Sequence, residues 1–202
     1  MKLTSRSVSD LLVAFRSSEP TPGGGSAAAL SGAVGASLLA MVAGLPKPKA
    51  ATDVDAQRLA EAGTRATEIA LRLEALIDQD SDAYDLVVAA FRLPKATDEE
   101  KANRAAAIQR ALVTATEAPL DVLRHAAAAL EAAPVIGALG NPNASSDVGV
   151  AIALLGASIR GAQQNVEINL ETVKDVEYVK RVREEAARLV SAGIRGPERS
   201  VR

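Results

Sequence analysis

From Ser26 to Leu45 the chain reads SAAALSGAVGASLLAMVAGL, a run of about 20 residues without one charge, entered through Pro20-Thr21-Pro22-Gly23-Gly24-Gly25. Nothing inside the run breaks a helix, and a helix with no charged face has to be covered by protein or by lipid. Two ridges with near-fourfold spacing lie side by side on it. Ala28, Gly32, Ala36, Ala40 and Gly44 form a small one, and Leu30, Val34, Leu38, Met41 and Leu45 a large apolar one. The large ridge is expected to pack in a core, and the small ridge to let a backbone or flat ligand approach closely. Three readings of the stretch compete. Glycine backbone at a helix N-terminus presents unpaired N–H groups to an anionic or strongly polar group. The length also suffices to cross a bilayer. The plainest reading is a buried central helix with a glycine-rich entry. The run lacks the G-x-x-x-x-G-K-[ST] of a phosphate loop, and no strand signal precedes it. Its Ala, Gly and Ser content, with no aromatic belt and no strong basic flank, argues against a membrane span.

With 202 residues the chain is read as a single domain, 1–202, of which 48% is hydrophobic and 24% charged. A net charge of -2 supplies no basic field for nucleic acid, and 2% aromatics leave few platforms for base stacking. Cysteine is absent and His125 is the only histidine. Cys/His zinc sites and thiol nucleophiles are thereby excluded, Ser-His-Asp triads are poorly supported, and acid–base work falls to carboxylates, lysines or tyrosines. His125, near the edge of an apolar face, is assigned no role. MKLTSRSVSD has no apolar signal-peptide core, so a cytoplasmic protein is expected.

The remaining segments read as helices, giving an all-α bundle of long helices. Ser7 to Asp10 is a capping box for a short helix that stops before Pro20. Pro46 to Lys49 should form an exposed connector. From about Asp53 to Arg92 a stripe runs through Leu59, Ala62, Ala66, Ile69, Leu73, Leu76, Asp80, Ala83, Val87 and Ala90. Asp80 interrupts it, while Asp78, Asp82 and Asp85 fall on a flank that reaches water. A carboxylate on an apolar face is costly unless hydrogen-bonded, so Asp80 asks for a reason; the plain alternative is that the bundle opens there. Thr97 to Glu100 is a second capping box, beginning a helix that Pro119 should kink or split. Residues 134–140 read as a turn leading to Asn141-Pro-Asn-Ala-Ser-Ser-Asp147, more polar groups than capping needs. The helix that follows carries Asn165 and Asn169 one turn apart on a buried-looking face, where bridging between helices and ligand contact are both open. A peripheral helix from about Asp175 to Ala192 and a frayed tail, 193–202, complete the chain.

Together these pieces resemble the cyclodeaminase/cyclohydrolase family of folate enzymes. The matching segments are PTPGGGSAAA (20–29), LIDQDSDAY (76–84), LPKATDEEKANRAAAIQRAL (93–112), APL (118–120), GNPNASSDVGVA (140–151) and GAQQNVEINL (161–170). The resemblance implies a helical homodimer, without metal or redox cofactor, acting on a one-carbon unit carried by tetrahydrofolate. It puts Asp78 and Asp80 on a D-x-D pattern, Gly140, Asn141, Ser146 and Asp147 on a second polar motif, and Asn165 and Asn169 on a third. One departure is LPKPKAATDVDA after the charge-free helix, where Lys47 and Lys49 stand in for a lysine cluster. On this basis Asp80 is expected to shuttle protons, with Asp78 or Asp147 as helper and Asn141 orienting. Gly23, Gly24, Gly25 and Ser26 would form one wall of a folate pocket, with Ser146, Asn165 and Asn169 as further contacts and Lys95 meeting a tail carboxylate. Asp147 and Asn165 lie ~27 Å apart along one helix, so both cannot touch one reacting carbon. The chain is expected to be free-standing, without a formiminotransferase half, and its LPKATDEEKA segment is similar to that of bacterial cyclohydrolases. Both point to hydrolysis of methenyltetrahydrofolate. Ammonia release from formiminotetrahydrofolate is the alternative reaction, and a non-enzymatic helical interaction protein the contrasting class.

Overall fold

Several of the helices begin where the sequence places side-chain caps. In the computed structural model, which describes residues 2–46 and 52–194, a 3-10 turn (Leu3–Ser5) precedes α1 (Val8–Phe15), α2 (Gly24–Gly44), α3 (Asp53–Phe91), α4 (Asp98–Leu139), α5 (Ser145–Leu170) and α6 (Val176–Ile194). Ser7 caps α1 by accepting from the Asp10 N–H, and Thr52 caps α3 through Asp55. Thr97 and Glu100 form a reciprocal capping box on α4. No strand occurs among the described residues. Lys47, Lys49 and 195–202, the larger part of the expected tail, lie outside them.

The long stripe of α3 is inside as its spacing required. Leu59, Ala66, Leu73 and Leu76 are buried, and α3 packs against α2 and α4. On α2 the small ridge admits a close neighbour as expected, while the large ridge is only partly in the core, with Leu30, Leu38 and Leu45 packed against it. Ala28, Gly32 and Ala36 face inward, while Val34 is 43% and Met41 42% exposed. Close packing gives the reason. A Cβ on Gly32 would sit 2.7 Å from Ser158 Oγ, and one on Gly35 would sit 3.0 Å from the Ala151 carbonyl oxygen. At those distances α5 can cross α2 only on the small side, which turns part of the large side outward.

α4 is one helix of 42 residues with Pro119 and Pro134 inside it, so neither the split at Pro119 nor the turn at 134–140 occurs. Proline at 119 has no N–H to give the Ala115 carbonyl. Asn169 of α5 supplies the missing donor, its Nδ2 lying 2.8 Å from Ala115 O. Replacing Asn169 by Leu should therefore cost about 1–3 kcal/mol through a carbonyl left without a partner between two helices. Pro119→Ala in the same background should recover most of that loss, because an alanine at that position regains the helical N–H. Chemical denaturation of the single and double variants checks this, and a loss untouched by Pro119→Ala would show that Asn169 does something else.

α6 is held mainly by apolar contact, since Val182 and Ala186 are essentially fully buried. Arg124 of α4 adds charged bonds to Glu185 at 2.6 and 2.9 Å and to Asp121 at 2.7 Å. Hydrogen bonding to Arg124 lowers the Glu185 pKa. This cluster is partly solvent-screened, so it orients α6 more than it anchors it.

Candidate active site

Gly23 is the N-cap of α2, and Gly24, Gly25 and Ser26 make its first three helical positions. The glycines thus belong to the helix itself. No described residue has a positive φ, so their role is space rather than backbone freedom. Ser26 is fully buried. Its Oγ donates to Asp80 Oδ2 at 3.0 Å, and its backbone N–H also bonds the Asp80 carboxylate. Asp80 of α3 therefore caps α2 from outside, satisfying one of the orphan donors of a helix start. Gly25 is what admits it. A Cβ there would overlap Oδ1 and lie 2.5 Å from Asp80 Cγ.

A carboxylate used only as a cap is held ionised by its donors. Asp80 departs from that pattern, because burial raises its pKa above the ordinary carboxylate value in spite of both Ser26 bonds. Burial thus disfavours the charged form that the Ser26 bonds favour. Across from it, Asn165 of α5 lies beside Gly24, with Nδ2 3.3 Å from where a Cβ would stand. The same Nδ2 donates to Gly161 O at 2.8 Å, which fixes the amide plane. Close approach of α3 and α5 to the small ridge of α2 brings Asp80 and Asn165 to the same helix start.

Asp78, two residues earlier, does different work. Its two oxygens accept from the Leu3 N–H at 2.5 Å and the Thr4 hydroxyl at 2.6 Å. It ties the N-terminal turn to α3, so it is partly buried rather than on a free flank. Both oxygens are engaged by that turn, and neither is directed at Asp80.

Ser81 carries no expectation from the sequence, yet its Oγ lies 3.2 Å from Ser26 Oγ. It also lines a cavity of about 880 Å³ between the N-terminal segment and the acidic part of α3. The sequence does hold a signal for it. Ser81 continues the row Leu73, Ile77, whose members are buried toward α2.

The second polar motif stands elsewhere. Asn141 donates to Pro46 O at 2.6 Å and accepts from the Asn143 N–H at 3.0 Å. It closes the turn between α4 and α5 against the far end of α2. Ser146 is exposed and Asp147 partly buried on the first turn of α5. Within one chain this group and the Asp80 group occupy opposite ends of α5, ~27 Å apart, so neither Asp147 nor Asn141 reaches Asp80. Lys95 is exposed in the α3–α4 loop, and Asn169 is engaged with Ala115 as described. Of the expected contacts, one chain gathers Gly23, Gly24, Gly25, Ser26, Asp80 and Asn165.

The sequence profile of a protein family described as formiminotransferase-cyclodeaminase matches residues 7–188. A methenyltetrahydrofolate cyclohydrolase from Methylorubrum extorquens is 40% identical over 192 residues, which cover 92% of this chain and 90% of that protein. A formimidoyltransferase-cyclodeaminase from Sus scrofa is 34% identical over 84% of this chain, although the match spans only 31% of that longer protein. Among solved structures, a formiminotetrahydrofolate cyclodeaminase from Thermotoga maritima superposes with a TM-score of 0.83 at 25% identity, over 96% of this chain and 92% of that one.

Proposed function

The chain belongs to the formiminotransferase-cyclodeaminase family and is a cyclohydrolase or cyclodeaminase of that family, and from that premise we propose that it hydrolyses methenyltetrahydrofolate to formyltetrahydrofolate with Asp80 as its proton-exchanging group. The observation that carries the reading is the Asp80 carboxyl, seated on the first turn of α2 by Gly25 and Ser26 and kept above its ordinary pKa by burial. The substrate carbon is a cationic amidinium held between two nitrogens. A nearby carboxylate stabilises that charge and accepts a proton from the attacking water. The neutral tetrahedral adduct then opens. Asp80 gives its proton to the departing ring nitrogen and recovers one from the adduct hydroxyl as the carbonyl forms. One proton per turnover is left on Asp80 and has to leave. Asn165 and the first N–H groups of α2 supply the hydrogen bonds that orient the polar part of the substrate, and Lys95 meets the tail carboxylate. Hydrolysis is preferred because the Methylorubrum extorquens cyclohydrolase is 40% identical, against 25% for the Thermotoga maritima cyclodeaminase.

The likeness to the Thermotoga maritima structure favours, as a second reading, ring closure of formiminotetrahydrofolate with loss of ammonia. The same carboxyl would protonate the leaving amine. Purified protein mixed with methenyltetrahydrofolate, followed by loss of its near-ultraviolet absorbance against a buffer blank, separates the two readings. Acceleration there supports hydrolysis. No acceleration, with ammonia released from formiminotetrahydrofolate, selects the second. Inactivity in both assays favours the non-enzymatic interaction protein.

A homodimer is part of the proposal. The large ridge of α2, Leu30, Val34, Leu38 and Met41, lines an apolar groove of about 550 Å³ with Val8, Leu11 and Ile77. A second copy would cover that surface, and with it the motif of Asn141, Ser146 and Asp147 would be available to a neighbouring site. Sedimentation equilibrium is expected to return twice the chain mass. A value equal to the chain mass would overturn this part.

A further inference from the structure

We infer that Ser81 is a proton-relay residue, which with Ser26 forms a hydroxyl chain leading from Asp80 to the acidic cavity beside the N-terminal segment. The inference rests on the hydrolytic reading above, in which one proton is left on Asp80 at each turnover. Ser26 Oγ lies 3.0 Å from Asp80 Oδ2 and 3.2 Å from Ser81 Oγ. A hydroxyl is both donor and acceptor, and its hydrogen turns to suit. With Asp80 ionised, Ser81 donates to Ser26 and Ser26 to Asp80. With Asp80 protonated the chain reverses. The Asp80 O–H bond breaks as a new O–H forms on Ser26, the former Ser26 proton passes to Ser81, and the former Ser81 proton leaves to water. No oxidant or co-reactant is needed, and both serines end as they began.

The far end of the chain is suited to accept that proton. Ser81 lines the half-open cavity together with Asp78, Asp82, Asp85, Asp10 and Glu19, and Lys2 and Arg6 are the cations that also line it. The carboxylates hold a local excess of negative charge over cations at the exit, which draws a proton outward. Ser26 has no such outlet of its own, because it is fully buried. Ser81 supplies the connection, and its hydroxyl rather than its size is the part that matters.

The test compares Ser81→Ala, Ser81→Thr and wild type on methenyltetrahydrofolate, with kcat and KM measured in low and high concentrations of imidazole and corrected for the blank rate. Alanine is the best helix former, so the first variant keeps α3 intact. Loss of the relay is expected to lower kcat about tenfold in weak buffer, less than the 10²–10⁴ expected of a group at the reacting atoms, with KM unchanged. Imidazole, entering the cavity as a proton acceptor, should restore the rate of Ser81→Ala while leaving wild type unaffected. Ser81→Thr, which keeps a hydroxyl, should match wild type. A full wild-type rate for Ser81→Ala in weak buffer overturns the relay, as does a lowered rate that neither imidazole nor threonine restores. A wild-type protein that does not accelerate hydrolysis at all overturns the parent reading and the relay together, and is distinguished by the wild-type arm alone.

Discussion

Replacing Asp80 by Asn is expected to lower turnover by about 10²–10⁴-fold while the bundle stays folded, because the amide keeps the shape of the carboxyl but can neither take a proton from water nor balance the substrate cation. Catalytic loss should appear in kcat more than in KM. Circular dichroism and denaturation establish that the variant is folded, and a folded Asp80→Asn protein with full activity would remove Asp80 from its role.

The same substitution carries a stability prediction of defined sign. Burial raises the folded-state pKa of Asp80 over its unfolded value. A carboxyl raised on folding contributes stability that is fully present below its unfolded pKa, near ~4, and is lost as pH rises through the folded value. Once ionised, the group is therefore a burden on the native state. Asp80→Asn relieves it, so the variant should unfold at an equal or higher temperature than wild type at pH 7. Its advantage should fade as the pH falls toward the unfolded value. A variant that becomes less stable at neutral pH would mean that the Ser26 bonds to the charged carboxylate outweigh its desolvation.

Gly25→Ala is the second change with a large expected effect. The added methyl would overlap Asp80 Oδ1 and lie 2.7 Å from Oδ2, so the carboxyl must leave the two Ser26 donors. Activity should fall about as far as in Asp80→Asn. The cost in stability should be smaller, since alanine in a helix recovers up to about 1 kcal/mol relative to glycine. Gly24→Ala is the comparison. Its methyl would stand 3.3 Å from Asn165 Nδ2, a contact that a shift of a few tenths of an ångström relieves. Activity measured for the two variants should separate them clearly, and equal loss in both would count against a specific seat for Asp80 on Gly25.

Much of the site is legible in the sequence because its signals are local. The side-chain cap at Ser7 and the capping box at Thr97 need only residues three apart, and the α3 stripe needs only helical spacing. Asp80 stands out because it occupies a place in that stripe where an apolar side chain belongs. Asp78, only two residues away, is not separable from it in the same way. Its partners, Leu3 and Thr4, lie more than 70 positions away in sequence. For Asn169 the spacing leaves bridge and ligand contact open, and its actual partner is a carbonyl made available by a proline in another helix. Ser81 continues the buried row of Leu73 and Ile77, but its hydroxyl acquires meaning only beside Ser26 of α2.

By itself the sequence determined the all-helical class, several helix starts, the burial of the α3 stripe and the oddity of Asp80, all of which follow from spacing and short-range hydrogen bonding, but not the unbroken run of α4 through Pro119 and Pro134. Tertiary structure alone decided which ridge of α2 faces inward. Both ridges have the same helical period, and hydrophobicity alone would have buried the whole of the large one, whereas Val34 and Met41 are exposed. Close packing settled the choice, since α5 reaches α2 at Gly32 and Gly35 only where no side chain intervenes. That approach also brings Asn165 alongside the first turn of α2, where Asp80 is seated, and leaves Asp147 at the other end of its helix.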